Sequence, residues 1–280
     1  LALAMLQREK CTLTSGNDTI FLMLMAHPDF DASTLHLRGG WAAAGPEVMQ
    51  KIHDQMKVPN LCNAYGLSEA SPNVVMSSWD DPLPLRTEGW ALPHTGVQVR
   101  IMDTNTDEIL PAGEAGEIQV KGWSVMRGYY NMPDVTARTF TEDGWLKTGD
   151  LGKMDEAGRL KMVGRLKDIF RVGGENVAPT EVEGFILMHE AIELAQVVGV
   201  PDERLGEVPA AFVILKQGHS CTPDELIAWC KPRIANFKVP RYVRFVDSFD
   251  QIGMTGSSKV QKNKLRAHAI AVLGLTEQAK

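Results

Sequence analysis

The feature that most constrains this chain is a change of rhythm near residue 95. Over residues 1–75, helical patterns alternate with short apolar strands. "TIFLMLMAHPDF" reads as a buried helix, "TLHLRGG" as a strand, "PEVMQKIHDQM" as an amphipathic helix and "VPNLCNAYG" as another strand. Pro46 suits the first position of its helix, because its φ is already helical and its missing N–H would have had no partner there. From about 95 to 163 the helical patterns give way to short alternating segments, "VQVRIMD", "GEIQVKG", "WLKTGDLGKMD" and "RLKMVGR", separated by Gly, Asp and Asn turns. These predict a β-rich subdomain. "GRLKDIFRVGGENVAPTEVE" at 164–183 then reads as a hairpin followed by a helix opened by Pro179. Glu181 and Glu183 are predicted in its first turn, where acids suit the helix dipole. "LAQVVGVPD", "VPAAFVILK", "TPDELIAWCKPRI" and "RYVRFVDSF" complete an αβ alternation of the size of a small separate domain. The fold class expected is therefore α/β with a β-rich subdomain at 95–163, divided into domains 1–163 and 164–280.

Charge and cysteine usage narrow the function. A net charge of −6 argues against a general nucleic-acid or anionic-membrane binder, so basic residues are expected to act locally. Cys11, Cys62, Cys221 and Cys230 show neither a CxxC pair nor metal-ligand spacing, and are expected to be reduced thiols. The seven histidines show no ligand spacing either. "LALAMLQREK" lacks a basic n-region and a cleavage site, and no later segment reaches transmembrane length, so a cytoplasmic location is expected. The chain opens on Leu1, inside a helical pattern, and is expected to be a piece of something longer.

Five stretches, taken in order, are specific. "NAYGLSEASP" (63–72), "GEIQVKGWSVMRGYYN" (116–131), "DGWLKTGDLG" (143–152), "GRLKDIFRVGGENVAPTEVE" (164–183) and "GMTGSSKVQKNKLR" (253–266) together resemble the core motifs of the adenylate-forming superfamily. Its members include acyl-CoA synthetases, peptide-synthetase adenylation domains and firefly-luciferase-type enzymes. The resemblance implies the C-terminal part of a large AMP-binding domain, followed by a small mobile α+β domain. It also implies roles. Tyr65, Gly66, Ser68 and Glu69 match the loop that closes over ATP or AMP, with the glutamate holding Mg²⁺. Ser68 stands where threonine is usual and keeps the oxygen. Asp150 and Arg165 match the ribose-binding pair. Lys167 matches the hinge, and Gly173 and Gly174 match glycines that approach the pantetheine of coenzyme A.

Lys259 matches the lysine that swings in to contact the substrate carboxylate and the α-phosphate. Glycine usually precedes that lysine; Ser258 does here, which would strain the loop if the site needs positive φ. Gly40, Trp41 and Ala43 in "LRGGWAAAGPEVM" resemble the lining of the adenine and acyl pockets, with a strand-turn-helix in the core as the competing reading. The family's phosphate loop has no counterpart; "LTSGNDTI" lacks the following Gly-x-Pro-Lys. The implied activity is that of an acid–thiol ligase using ATP, Mg²⁺, coenzyme A and a fatty or related carboxylic acid. The alternatives are an adenylation domain that loads a carrier protein and a non-catalytic nucleotide-binding module. The 280-residue chain is not expected to adenylate efficiently by itself.

Overall fold

The computed structural model describes residues 1–254 and 260–276. The chain divides into two units, Leu1–Leu166 and Lys167–Lys280.

The first unit opens with α1 (Ala2–Arg8), β1 (Leu13–Asn17), α2 (Asp18–Met25), β2 (Gly39–Ala43), α3 (Pro46–Met56) and β3 (Asn60–Gly66). Strands β1, β2 and β3 are parallel neighbours, each joined to the next through a helix. β4 (Asn73–Met76), α4 (Leu83–Glu88) and β5 (Leu92–Pro93) follow, and β4 and β5 extend the same sheet antiparallel. Antiparallel connections then replace the parallel crossovers. β6 (Val97–Met102), β7 (Gly116–Gly122), β8 (Leu146–Met154) and β9 (Leu160–Arg165) form an antiparallel sheet in sequence order, with α5 (Pro133–Thr139) between β7 and β8. A shared core of Tyr65, Val74, Val75, Ala91, Ile101, Ile118, Leu146 and Leu160 packs the ends of the two sheets together. Antiparallel pairing already begins at β4, and the change of rhythm near residue 95 marks the passage to a second sheet that is antiparallel throughout.

The second unit holds β10 (Phe170–Val172), β11 (Glu175–Val177), α6 (Pro179–Ile186), β12 (Ile192–Asp202), β13 (Gly206–Leu215), α7 (Pro223–Cys230), β14 (Tyr242–Phe245) and α8 (Lys262–Val272). Its sheet runs β11-β10-β13-β12, and β14 joins β13 in parallel. Among the described residues, no helix is long and apolar enough to cross a membrane.

Several local expectations are corrected. α2 is not buried all round: Phe21 and Leu24 face the core, while Ile20 and Met23 are exposed. It begins where the Asn17 side chain accepts from the Ile20 N–H, so polar capping sets its start. "TLHLRGG" becomes strand only from Gly39; Thr34 ends a 3-10 turn over Ala32–Thr34 capped by Asp31, and residues 35–38 belong to no element. α7 stops at Cys230, short of Pro232, whose ring and missing N–H break a helix. Gly164 and Arg165, placed in the second domain from sequence, are the last residues of β9 in the first unit. Glu183 is not in the first turn of α6; it is buried and accepts the Val197 N–H of β12 and the Lys262 ammonium of α8.

Candidate active site

In open α/β sheets, ligands bind beyond the carboxyl ends of the parallel strands. Here those ends are Asn17, Ala43 and Gly66. Gly66 is required by close approach: a Cβ there would lie 1.7 Å from the Pro72 carbonyl oxygen as the chain doubles back into β4. The pairing of β3 with β4 shifts register between Tyr65 and Gly66, which lets Tyr65 stay in the core while the following residues leave it.

Tyr65 is anchored from across the unit. Its phenol donates to Asp150 Oδ2 at 2.9 Å, and Arg165 Nε lies 3.3 Å from Asp150 Oδ1. Asp150 on β8 and Arg165 on β9 are direct cross-strand partners, so the ion pair follows from register. Thr148 steadies the approach. Its hydroxyl donates to the Ile118 carbonyl and accepts from the Asp150 N–H, while the Glu117 carboxylate accepts from Gly149 N–H. Burial first, and then the Asp150 carboxylate, push the Tyr65 phenol well above the usual tyrosine range, so it remains a donor. The carboxylate is therefore held between a phenol and a guanidinium that compete little with each other for geometry.

A second group forms just past β3. Ser68, Glu69 and Ala70 make a 3-10 turn, with Ser68 exposed and Glu69 half-buried. Tyr129 OH donates to Glu69 Oε1 at 2.8 Å, and Met126 N–H donates to the Glu69 carbonyl at 2.7 Å. The hydrogen bond to Glu69, followed by burial, raises the Tyr129 phenol. Sequence reasoning assigned nothing to Tyr129. Two adjacent tyrosines offer no local signal to separate Tyr129 from Tyr130, which is 91% exposed.

The remaining candidates are each described within their own unit. Gly40, Trp41 and Ala43 are all on β2; a Cβ on Gly40 would lie 1.7 Å from the Thr14 carbonyl, Trp41 is half-buried and Ala43 is exposed at the strand's carboxyl end. Lys167 is exposed at the start of the second unit. Gly173 and Gly174 form the tip of the β10–β11 hairpin, with φ of +59° and +97°. Both are glycine because L-residues rarely adopt that backbone. Lys259 and Ser258 lie outside the described residues.

Two matches to known families divide the chain much as its architecture does. Residues 1–130 match the AMP-binding enzyme family, and residues 181–259 match the AMP-binding enzyme C-terminal domain. This chain belongs to the AMP-binding enzymes. It is 44% identical to YngI of Bacillus subtilis (strain 168) over 276 residues, covering 96% of this chain and 49% of that protein. It is 40% identical over 278 residues to the mitochondrial medium-chain acyl-CoA ligase ACSF2 of Danio rerio, covering 96% and 45%. Among solved structures, ATP-bound MatB from Rhodopseudomonas palustris superposes with a TM-score of 0.83 at 30% identity, over 97% of this chain and 53% of that one. The anthranilate CoA ligase AuaEII in complex with anthranoyl-AMP gives 0.85 at 26%, over 98% and 53%. The chain spans about half the length of the curated relatives it matches.

Whether this AMP-binding chain suits a magnesium ion can be judged from its donors. Among the described residues there is no group of three or more His, Cys, Asp or Glu side chains fit to hold a metal by themselves. Glu69 offers a half-buried carboxylate whose Oε1 is already held by Tyr129. That donor set suits Mg²⁺, which is commonly bound by one or two carboxylates together with substrate phosphates rather than by an all-protein cage.

Proposed function

We propose that the protein carrying this chain is an ATP-dependent acid–thiol ligase. The substrate carboxylate attacks the α-phosphorus of ATP, releasing pyrophosphate and forming acyl-AMP. The thiol sulfur of coenzyme A then attacks the acyl carbon, forming the thioester as AMP leaves and the thiol proton passes to solvent. Splitting the reaction replaces an inert carboxylate oxygen by a good leaving group. The observation that carries this reading is the Asp150 carboxylate, fixed by Tyr65 and Arg165 within the unit that also holds the parallel strand ends. An oriented carboxylate is the acceptor a vicinal diol of ribose requires.

The other roles are those that the motif resemblance implies. Tyr65, Gly66 and Ser68 form the nucleotide-facing turn, Arg165 assists at the sugar, and Lys259 stabilises the charge that develops at the α-phosphate. Gly40, Trp41 and Ala43 line the adenine and acyl side. Lys167 is the hinge of the domain it begins, and Gly173 and Gly174 admit pantetheine. Glu69 would hold Mg²⁺, which when bound offsets phosphate charge. A medium-chain or longer fatty acid is the substrate class, supported by the medium-chain acyl-CoA ligases among the relatives. The four cysteines are free thiols, which suits a reducing compartment such as the cytoplasm.

The test is acid-dependent exchange of labelled pyrophosphate into ATP by the full-length gene product, followed by thioester formation with coenzyme A. Exchange with C6–C14 acids and its loss in Lys259→Ala by a factor on the order of 100 is the expected result. Exchange without a thioester would favour carrier-protein loading, and no exchange with any acid would favour a nucleotide-binding module.

A further inference from the structure

The loop between β7 and α5 grips Glu69 twice, once at its main-chain carbonyl through Met126 N–H and once at its side chain through Tyr129 OH. The grip is itself braced. Tyr129 N–H donates to Thr136 Oγ1 at 2.9 Å, and the Thr136 hydroxyl donates to the Met132 carbonyl at 2.9 Å on the first turn of α5. Gly128 makes the approach possible: its φ is +154°, and a Cβ there would lie 2.7 Å from Thr136 Cγ2. A helix, a threonine and a glycine thus combine to place one phenol against one carboxylate oxygen.

A glutamate on a partly exposed 3-10 turn would ordinarily sample many rotamers, and its carboxylate would have to be ordered whenever a ligand arrived. Carboxylates that bind metals are themselves held by hydrogen bonds, and removing such a partner weakens metal affinity without touching the metal. Tyr129 meets that description, and no function stated so far uses it.

We propose that Tyr129 is a positioning residue for Glu69, its phenol holding Oε1 so that Oε2 is presented to the divalent cation that accompanies a bound nucleoside triphosphate. This rests on the ligase reading only for the presence of a cation–ATP complex.

The experiment is a titration of Mn²⁺ in the presence of ATP, with free Mn²⁺ read by electron paramagnetic resonance. It compares the full-length parent with Tyr129→Phe, Glu69→Gln and the double variant. Tyr129→Phe should raise the half-saturating Mn²⁺ about tenfold, and should do nothing further in the Glu69→Gln background. In Mg²⁺ titrations of pyrophosphate exchange, most of its deficit should be recovered at saturating cation. Unchanged Mn²⁺ affinity in Tyr129→Phe overturns the proposal. So does an equal loss in the Glu69→Gln background, which would mark a general packing defect. A parent that binds Mn²⁺–ATP but exchanges no pyrophosphate refutes the ligase reading alone, since the Mn²⁺ titration still decides the role of Tyr129.

Discussion

Replacing Glu183 by Gln is expected to destabilise the second unit by about 3 kcal/mol. The carboxylate, buried on α6, accepts the Val197 N–H at 2.7 Å and the Lys262 ammonium, which also donates to the Val197 carbonyl at 3.0 Å. Lys262 is the first residue of α8, whose first turn contains no acid, so its charge sits at the unfavourable end of the helix dipole. Glutamine keeps an oxygen for Val197 and removes only the charge. Breaking a buried pair from one side costs about 3–5 kcal/mol, and the lower end applies because the two side chains are 18% and 11% exposed. At 1.4 kcal/mol per tenfold, 3 kcal/mol corresponds to amide exchange faster by a factor on the order of 100. Hydrogen–deuterium exchange of peptides covering β12 and α8, in the full chain, reads this directly. The double variant Glu183→Gln/Lys262→Met removes both charges and should recover at least 1 kcal/mol, roughly, over Glu183→Gln alone. Parent-like protection in Glu183→Gln, or strictly additive losses in the double variant, would refute the reasoning.

Asp150→Ala should weaken AMP binding by a factor on the order of 10 to 100, the worth of hydrogen bonds to a charged group, as measured by calorimetry on the full-length protein. Unaltered affinity would remove Asp150 from the ribose site. Burial pushes the Cys230 thiol up to about 11. The folded value lies above that of the unfolded thiol, so this contribution to stability is complete below about pH 8.5 and is lost as pH rises through about 11. Cys230 should accordingly escape iodoacetamide at pH 9 in the folded chain and react once urea unfolds it; equal rates in both states would contradict the burial argument.

Much of the secondary structure was legible because local chemistry decides it. Pro46 and Pro179 open α3 and α6 as their fixed φ predicts, and "GEIQVKG" is β7 end to end. Tyr65, Asp150 and Arg165 were singled out through their motifs, and they lie within one group joined by a hydrogen bond and an ion pair. Their juxtaposition, however, comes from β8 and β9 pairing in the register that sets Asp150 opposite Arg165, and register depends on partners that local pattern does not name.

The misreadings have the same origin. Glu183 looked like a first-turn acid because composition suits the dipole; only the approach of Val197 and Lys262 from other elements makes it a buried acceptor. Tyr129 and Tyr130 are equivalent as neighbours in the chain, and only the fold turns one toward Glu69 and leaves the other exposed. By itself, the sequence determined the kinds of element, the breaks between them and the motif residues, all of which rest on backbone preferences and periodicity over a few residues. The tertiary structure decided which charges are paired and which oxygens are held, because those contacts form between segments far apart in the chain and depend on the three-dimensional packing that brings them together.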